Sequence, residues 1–180
     1  MSVTCKDLLT LKHFQKIKLA AGEEGLDRVI TYPYVGQTTS VSEWVHGGEL
    51  LFITGVAHNI EHLPQLLKEC IAKKLSGLVV LTGSEYIEEL PQELLDMANN
   101  AGFPLFSMPW DLHLIDVTKE ITRLIDYDQI ESKKIHRLLN YLLFTADTED
   151  KPTVDHEALV NLKISNYNLV AIFVSSKSLS

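Results

Sequence analysis

The sequence has few of the features that mark metal-binding, secreted or membrane proteins. It contains only two cysteines in 180 residues, and the spacing of Cys5 and Cys70 matches no metal-ligand pattern. No apolar run approaches the ~18 residues of a membrane-spanning helix, and no basic segment followed by an apolar one opens the chain. We therefore expect a cytoplasmic protein without a signal peptide or membrane contact, with Cys70 in the apolar core.

Clustered positive charge is also missing. The chain has 16 Lys and Arg residues against 24 Asp and Glu residues, a net charge of −8. Binding to DNA depends on clustered cations that neutralise phosphates. The densest basic pairs are only Lys73-Lys74 and Lys133-Lys134. This composition argues against DNA binding by the chain itself.

Common catalytic motifs are absent as well. The sequence has no nucleophile elbow, no phosphate-binding loop and no glycine-rich dinucleotide fingerprint. An H-x-x-E-H pattern runs from His58 to His62, but Pro64 favours a helix that begins after the motif rather than through it. We therefore predict no metal site and no cofactor.

One cluster of charged residues keeps an enzymatic alternative open. Asp111, His113 and Asp116 follow the end of a predicted strand and have the residue types of an acid/base set. The other interpretation is that they are helix-start charges, with Asp111 as the cap. The alternative function is therefore a small α/β hydrolase or transferase that uses these three residues.

Short apolar segments alternate with amphipathic ones along the first two thirds of the chain. The apolar segments are too short for helices, and glycines end most of them, which is typical of buried strands. This alternation predicts an α/β fold, with a mostly parallel sheet covered by helices and followed by a long C-terminal helix. We predict strands at 17–21, 29–32, 50–54, 78–82 and 105–107, and helices that start near Thr4, Ser40, Pro64 and Pro91.

Between Pro109 and Pro152 the chain contains neither glycine nor proline, which is typical of uninterrupted helix. Apolar residues follow a heptad seam there, although Asp128 and Glu131 interrupt it. Two ordinary helices packed on the domain would explain the pattern, but we favour one long helix that pairs with its twin in a homodimer. The predicted dimerisation residues are Leu114, Val117, Ile121, Leu124, Ile135, Leu138 and Leu142.

Four stretches resemble the N-terminal domain of the purine catabolism regulator (PucR-type) family of bacterial transcription regulators. They are residues 3–9, 21–29, 47–55 and 101–105, and the most diagnostic is the Gly-Gly-Glu-Leu strand entry at 47–50 that closes with Thr54-Gly55. The resemblance implies a sensory domain over 1–125 and a linker and dimerisation helix over 112–146. It also implies that 147–180 begins a truncated central regulatory domain, in which the residue pattern predicts a helix at 157–162 and a strand at 167–174.

In that family a C-terminal helix-turn-helix binds DNA, and this sequence has no counterpart of it. The resemblance implies that the chain is the ligand-sensing and dimerising part of such a regulator, with a purine-related metabolite as its effector. A dimerisation scaffold without a ligand is the other non-enzymatic interpretation.

Candidate ligand contacts come from the rule that ligands collect beyond the carboxyl ends of parallel strands. Glycines there let a ligand approach the backbone, while hydroxyls donate or accept hydrogen bonds. The simpler explanation is that these residues only end strands and cap helices. The candidates are Thr38, Thr39, Ser40, Glu49, Thr54, Gly55, Thr82, Gly83, Ser84, Ser107 and Trp110.

Overall fold

The computed structural model describes residues 2–56, 59–84 and 87–144, with side chains as far as residue 137. The chain divides into two compact units, residues 1–138 and 139–180. The helix predicted at 157–162, the strand predicted at 167–174 and the central domain predicted at 147–180 lie outside the described residues.

The first unit contains a five-stranded sheet of order β1-β5-β4-β3-β2. Strands β2 to β5 are parallel, and β1 pairs with β5 in the antiparallel direction. This confirms the α/β class with a mostly parallel sheet. The strands are β1 (Lys18–Ala21), β2 (Tyr32–Gly36), β3 (Glu49–Ile53), β4 (Gly77–Thr82) and β5 (Leu105–Pro109).

Four α-helices and three 3-10 turns complete the described part of the chain. The α-helices are α1 (Cys5–Leu8), α2 (Leu63–Ala72), α3 (Gln92–Asn100) and α4 (Leu114–Phe144). The 3-10 turns are His13–Lys16, Glu23–Gly25 and Ile60–His62. No described helix is both long enough and apolar enough to cross a membrane.

Both faces of the sheet are buried because alternate residues of each strand enter different cores. On one face, residues such as Leu51 and Val80 pack with α2 and α3. On the other face, Phe52 and Val79 pack with α1 and the first half of α4. This two-sided burial explains why the strands are apolar without alternation. Cys70 belongs to the first of these cores, as predicted.

The second strand lies further along the chain than the sequence predicted. The expected strand at 29–32 is wrong: β2 begins at Tyr32, and Val29 makes only an isolated bridge to Thr4. Pro33 argues against a central strand because it lacks an N–H group. Since β2 is the edge strand of the sheet, one side of its backbone needs no partner strand, and Pro33 is accommodated.

The predicted helix at Ser40 is also wrong. Residues 42–44 form only a turn, in which the Trp44 N–H donates to the Val41 carbonyl at 2.9 Å. The Ser40 hydroxyl bonds Glu69 of α2 instead of capping a helix, at 2.9 Å. Too few residues separate this point from Gly47 for a helix to outweigh the tertiary contacts.

Helix α4 is one continuous helix of 31 residues, which confirms the prediction of a single long helix over two shorter ones. Val117 and Ile121 have no exposed surface, and Ile125 is 6% exposed. These residues hold the first half of α4 against the sheet. Large apolar side chains on other faces of α4 are exposed, among them Ile115, Tyr127 and Ile130.

Candidate functional site

The carboxyl ends of β2, β3, β4 and β5 lie along one edge of the sheet, because these four strands are parallel. We call this the carboxyl edge. Ten of the eleven ligand contacts predicted from the sequence lie near the ends of these strands or in the loops that follow them. They are Thr38, Thr39 and Ser40 after β2, Thr54 and Gly55 after β3, Thr82, Gly83 and Ser84 at the end of β4, and Ser107 and Trp110 at the end of β5.

Four of these residues are in direct contact at the junction of β4 and β5. The Thr82 and Ser107 hydroxyl oxygens lie 2.8 Å apart, and both side chains are half-buried. The Trp110 backbone N–H donates to the Thr82 carbonyl at 3.2 Å. A Cβ on Gly83 would lie 2.7 Å from Cδ1 of Trp110, so the indole packs on the glycine. The hydroxyl pair and the indole therefore both lie at the ends of β4 and β5.

The candidates after β2 are arranged differently. Thr38 and Thr39 are exposed, and the Thr38 hydroxyl donates to the Ser40 carbonyl at 2.8 Å. Because the Ser40 hydroxyl donates to Glu69, it holds this loop to α2. The Thr38 to Ser40 segment is thus organised by its own hydrogen bonds.

Glu49 does not belong to this edge. It begins β3, at the opposite end of the sheet, which we call the amino edge. Its carboxylate accepts from the backbone N–H groups of His46 and Gly47, both at 2.8 Å. Glu49 therefore fixes the Gly47-Gly48 turn and lies away from the carboxyl edge, and its role as a ligand contact stays a prediction.

The amino edge carries a cleft of about 520 Å³ that the sequence did not indicate. Arg28 lines it, and its guanidinium donates to the carbonyls of Gly102 and Leu75 at 3.3 and 3.4 Å. The same guanidinium lies 5.4 Å from the ring centre of Phe103. These contacts engage Arg28 within the fold, where it joins the turn after β1 to the ends of α2 and α3.

The seven residues of the predicted dimer seam fall into two groups. The first group lies where α4 packs on the sheet, and the second group lies beyond that point. Val117 and Ile121 are fully buried, and Leu114 and Leu124 pack partly buried against the same core. These four side chains are occupied within the chain itself. Ile135 is half-buried, while the side chains of Leu138 and Leu142 lie outside the described residues. Pairing through the second half of the seam stays a prediction.

A carboxylate of α4 also contacts the N-terminal segment, and the sequence gave no signal for it. Glu120 accepts from the backbone N–H groups of Lys12 and His13 at 3.1 and 3.2 Å, and from Nδ1 of His13 at 2.8 Å. Partial burial tends to raise the pKa of Glu120, but these hydrogen bonds outweigh burial and hold it below its ordinary value. The contact ties α4 to the start of the chain.

The proposed acid/base set is exposed. Asp111 is exposed, and Nδ1 of His113 lies 3.5 Å from Asp116 with the histidine side chain 81% accessible. This is the geometry of a surface pair at the start of α4. In the described ranges, no group of three or more His, Cys, Asp or Glu side chains is placed to hold a metal ion. His58 lies outside the described residues, and α2 begins after the motif as predicted.

Comparison with known proteins gives the family. The model of the purine catabolism regulatory protein-like family matches residues 7–125, which is well over half of the chain. The chain belongs to this family. The match ends at Ile125, the last residue of α4 that is buried against the sheet in the described part.

A curated member of similar sequence is the purine catabolism regulatory protein of Bacillus subtilis (strain 168), 25% identical over 114 residues. The alignment covers 62% of this chain and 21% of that protein. The chain therefore spans about a fifth of the length of the relative that it matches. Family membership bears out the resemblance that the four sequence stretches indicated.

Proposed function

We propose that the chain is the effector-sensing N-terminal part of a cytoplasmic transcription regulator of purine catabolism. In this proposal a small molecule binds at the carboxyl edge and changes the placement of α4. Two copies associate through α4, and the full-length protein binds DNA through a separate domain. Residues 1–125 form the sensory domain, and the linker and dimerisation segment over 112–146, which contains α4, carries the signal onward.

The observation that carries this proposal is the short path from the carboxyl edge to α4. Trp110 packs on Gly83 beside the Thr82–Ser107 pair, and α4 begins at Leu114. A ligand that contacts the indole therefore acts four residues before the helix begins, and one that contacts the Ser107 hydroxyl acts seven residues before it. The pair supplies both donor and acceptor capacity, which suits a planar heterocycle that carries N–H and carbonyl groups on its rim.

A thermal-shift screen of purines, ureides and related metabolites tests the sensing step. A ligand at about 100 times its dissociation constant stabilises the folded state by about 2.7 kcal/mol, which is easily measured. Thr82→Val removes one hydroxyl at nearly constant volume and should weaken that shift. Thr31→Val, at an exposed position on the amino edge, is the matched control.

Two results contradict the proposal. If no metabolite of these classes stabilises the protein, the chain is a scaffold rather than a sensor. If a ligand stabilises the two variants equally, it binds away from the carboxyl edge. The dimer is tested separately by light scattering at micromolar concentration, where a monomer alone would exclude coupling through paired helices.

A further inference from the structure

The outward face of α4 carries an exposed stripe that the sheet does not cover. Ile115 is 59% exposed and Ile130 is 53% exposed, four helical turns apart. Lys119 and Asp126 lie between them on the same face and are exposed. Because successive residues turn by about 100°, this stripe lies on the opposite side of α4 from the buried residues Val117, Ile121 and Ile125.

A groove flanks this stripe. It has a volume of about 340 Å³ and is bounded on one side by the edge strand β2 and on the other by α4. Tyr32, which is 59% exposed, stands on the strand side. The groove is lined by Tyr32, Pro33, Val35, Ile115, Thr118, Lys119, Thr122 and Arg123.

The stripe is complementary to itself when two copies of α4 run antiparallel. A two-fold axis between Thr122 and Arg123 brings Ile115 opposite the partner's Ile130, and Lys119 opposite the partner's Asp126. Each contact occurs twice, as in any isologous interface. A parallel pair on this face would instead bring Lys119 against Lys119 and Asp126 against Asp126, which is repulsive.

We propose that two copies of this chain associate through this outward face, with their α4 helices antiparallel and each helix seated beside the groove of the other. Because the sheet packs on the inner face of α4, the two sheets then lie on the far sides of the helix pair. The exposed isoleucines are buried at the two ends of the contact, and lysine–aspartate pairs fix its direction. The two Arg123 side chains come close to the axis, and their repulsion opposes the association.

This proposal rests on the dimer that the proposed function requires, but not on ligand sensing. It assigns the contact along the first half of α4 to a different face of the helix from the sequence-predicted seam. The leucine and isoleucine positions of that seam up to Leu124 are occupied by the chain's own core. The antiparallel direction also determines that the two C-terminal ends of α4 leave the pair in opposite directions.

Cysteine cross-linking of the 180-residue chain tests the direction. Ile115→Cys and Ile130→Cys chains are prepared separately, mixed and treated with a short bismaleimide. Antiparallel pairing predicts cross-linked dimer in the mixture and little in either chain alone, because identical positions lie about 22 Å apart along the pair. The unaltered chain is the control, since burial raises the pKa of both Cys5 and Cys70 to about 12 and keeps these thiols unreactive.

A charge exchange tests the pairing independently. Lys119→Asp and Asp126→Lys should each raise the dimer dissociation constant at least ten-fold, and the double variant should restore it to within about three-fold. Parallel pairing would leave all three variants near the wild-type value, because like charges already face each other. Circular dichroism of each variant confirms that these exposed substitutions leave the fold unchanged.

The outcomes separate this proposal from the proposed function. Cross-linking within either single variant, or a dimer in which no combination cross-links, overturns the antiparallel contact while the dimer itself stands. A wild-type chain that is monomeric at micromolar concentration overturns both. Cross-linking in the mixture, with rescue by the double charge exchange, supports the antiparallel contact.

Discussion

Replacing Ile121 by alanine tests whether the first half of α4 belongs to the core of the domain. Ile121 has no exposed surface and packs in the core between α4 and the sheet. The change removes three carbon atoms, worth about 2.5 kcal/mol at ~0.8 kcal/mol each. A residual cavity adds to this, so we expect a loss of about 3–4 kcal/mol in the free energy of unfolding.

Chemical denaturation measures that loss, and thermal denaturation should show a fall in midpoint of roughly 6–16 °C for a chain of this size. Ile130→Ala, on the same helix but 53% exposed, is the matched control and should cost no more than about 0.5 kcal/mol in the monomer. Both proteins are measured over a range of concentrations. If the loss at Ile121 fades as the protein is diluted, the side chain stabilises a dimer and the assignment to the core is wrong.

Three further predictions concern the same body. Glu120→Gln should reduce the loss of stability on acidification. Hydrogen bonds from His13 and the neighbouring N–H groups outweigh burial and hold the pKa of Glu120 below 4.5. The contribution of Glu120 to stability is therefore present above pH 4.5 and is lost as the pH falls through the lowered pKa. Gly22→Ala should cost about 2 kcal/mol or more, because φ is +76° and the new Cβ would lie 1.9 Å from the Phe103 carbonyl oxygen. The two native thiols should resist a disulfide reagent at pH 8 and react fully in denaturant. Burial raises the pKa of both thiols to about 12 in the folded state. They therefore also contribute stability that declines above about pH 9. A free energy of unfolding that stays constant from pH 8 to 11 would contradict this.

Residues buried on both sides of the sheet were the easiest to predict. Continuous apolar runs such as Leu78 to Leu81 occur where helices cover both faces, and their placement in the chain indicated the parallel strands directly. The helix after Pro64 was equally clear, because its apolar stripe and its proline in the first turn agree. Local pattern and tertiary environment point the same way in these elements.

The errors lie where a tertiary contact outweighs a local preference. Ser40 and Glu43 have the spacing of a helix cap, yet the Ser40 hydroxyl bonds Glu69, 29 positions further along the chain. Glu49 was grouped with residues at the carboxyl edge, but it begins β3 and binds two N–H groups of a turn next to it in sequence. Neither partner follows from the periodicity on which the predictions depend.

The heptad pattern of α4 shows a deeper limit of sequence reasoning. A stripe of apolar residues indicates that one face of a helix is buried. It does not indicate whether the helix's own chain or a second chain covers that face. Val117 and Ile121 satisfy the pattern through the sheet. The exposed face of α4 is therefore visible only in the structure. On that face, the arrangement of Lys119 and Asp126 is the basis for the proposed antiparallel direction of the helix pair, which apolar periodicity does not indicate.

These two faces give α4 the properties that a signal-transmitting helix requires. Its inner face is anchored to the sheet through Ile121 and to the N-terminal segment through Glu120. In the proposed function, a ligand that moves Trp110, four residues before α4 begins, acts on a helix that is anchored along its inner face. In the proposed dimer, the outer stripe depends on charge pairs, which are sensitive to how the two helices are aligned. The proposed contact leaves the inner face of α4 in the core, whereas an interface built on the inner seam would have to expose Val117 and Ile121.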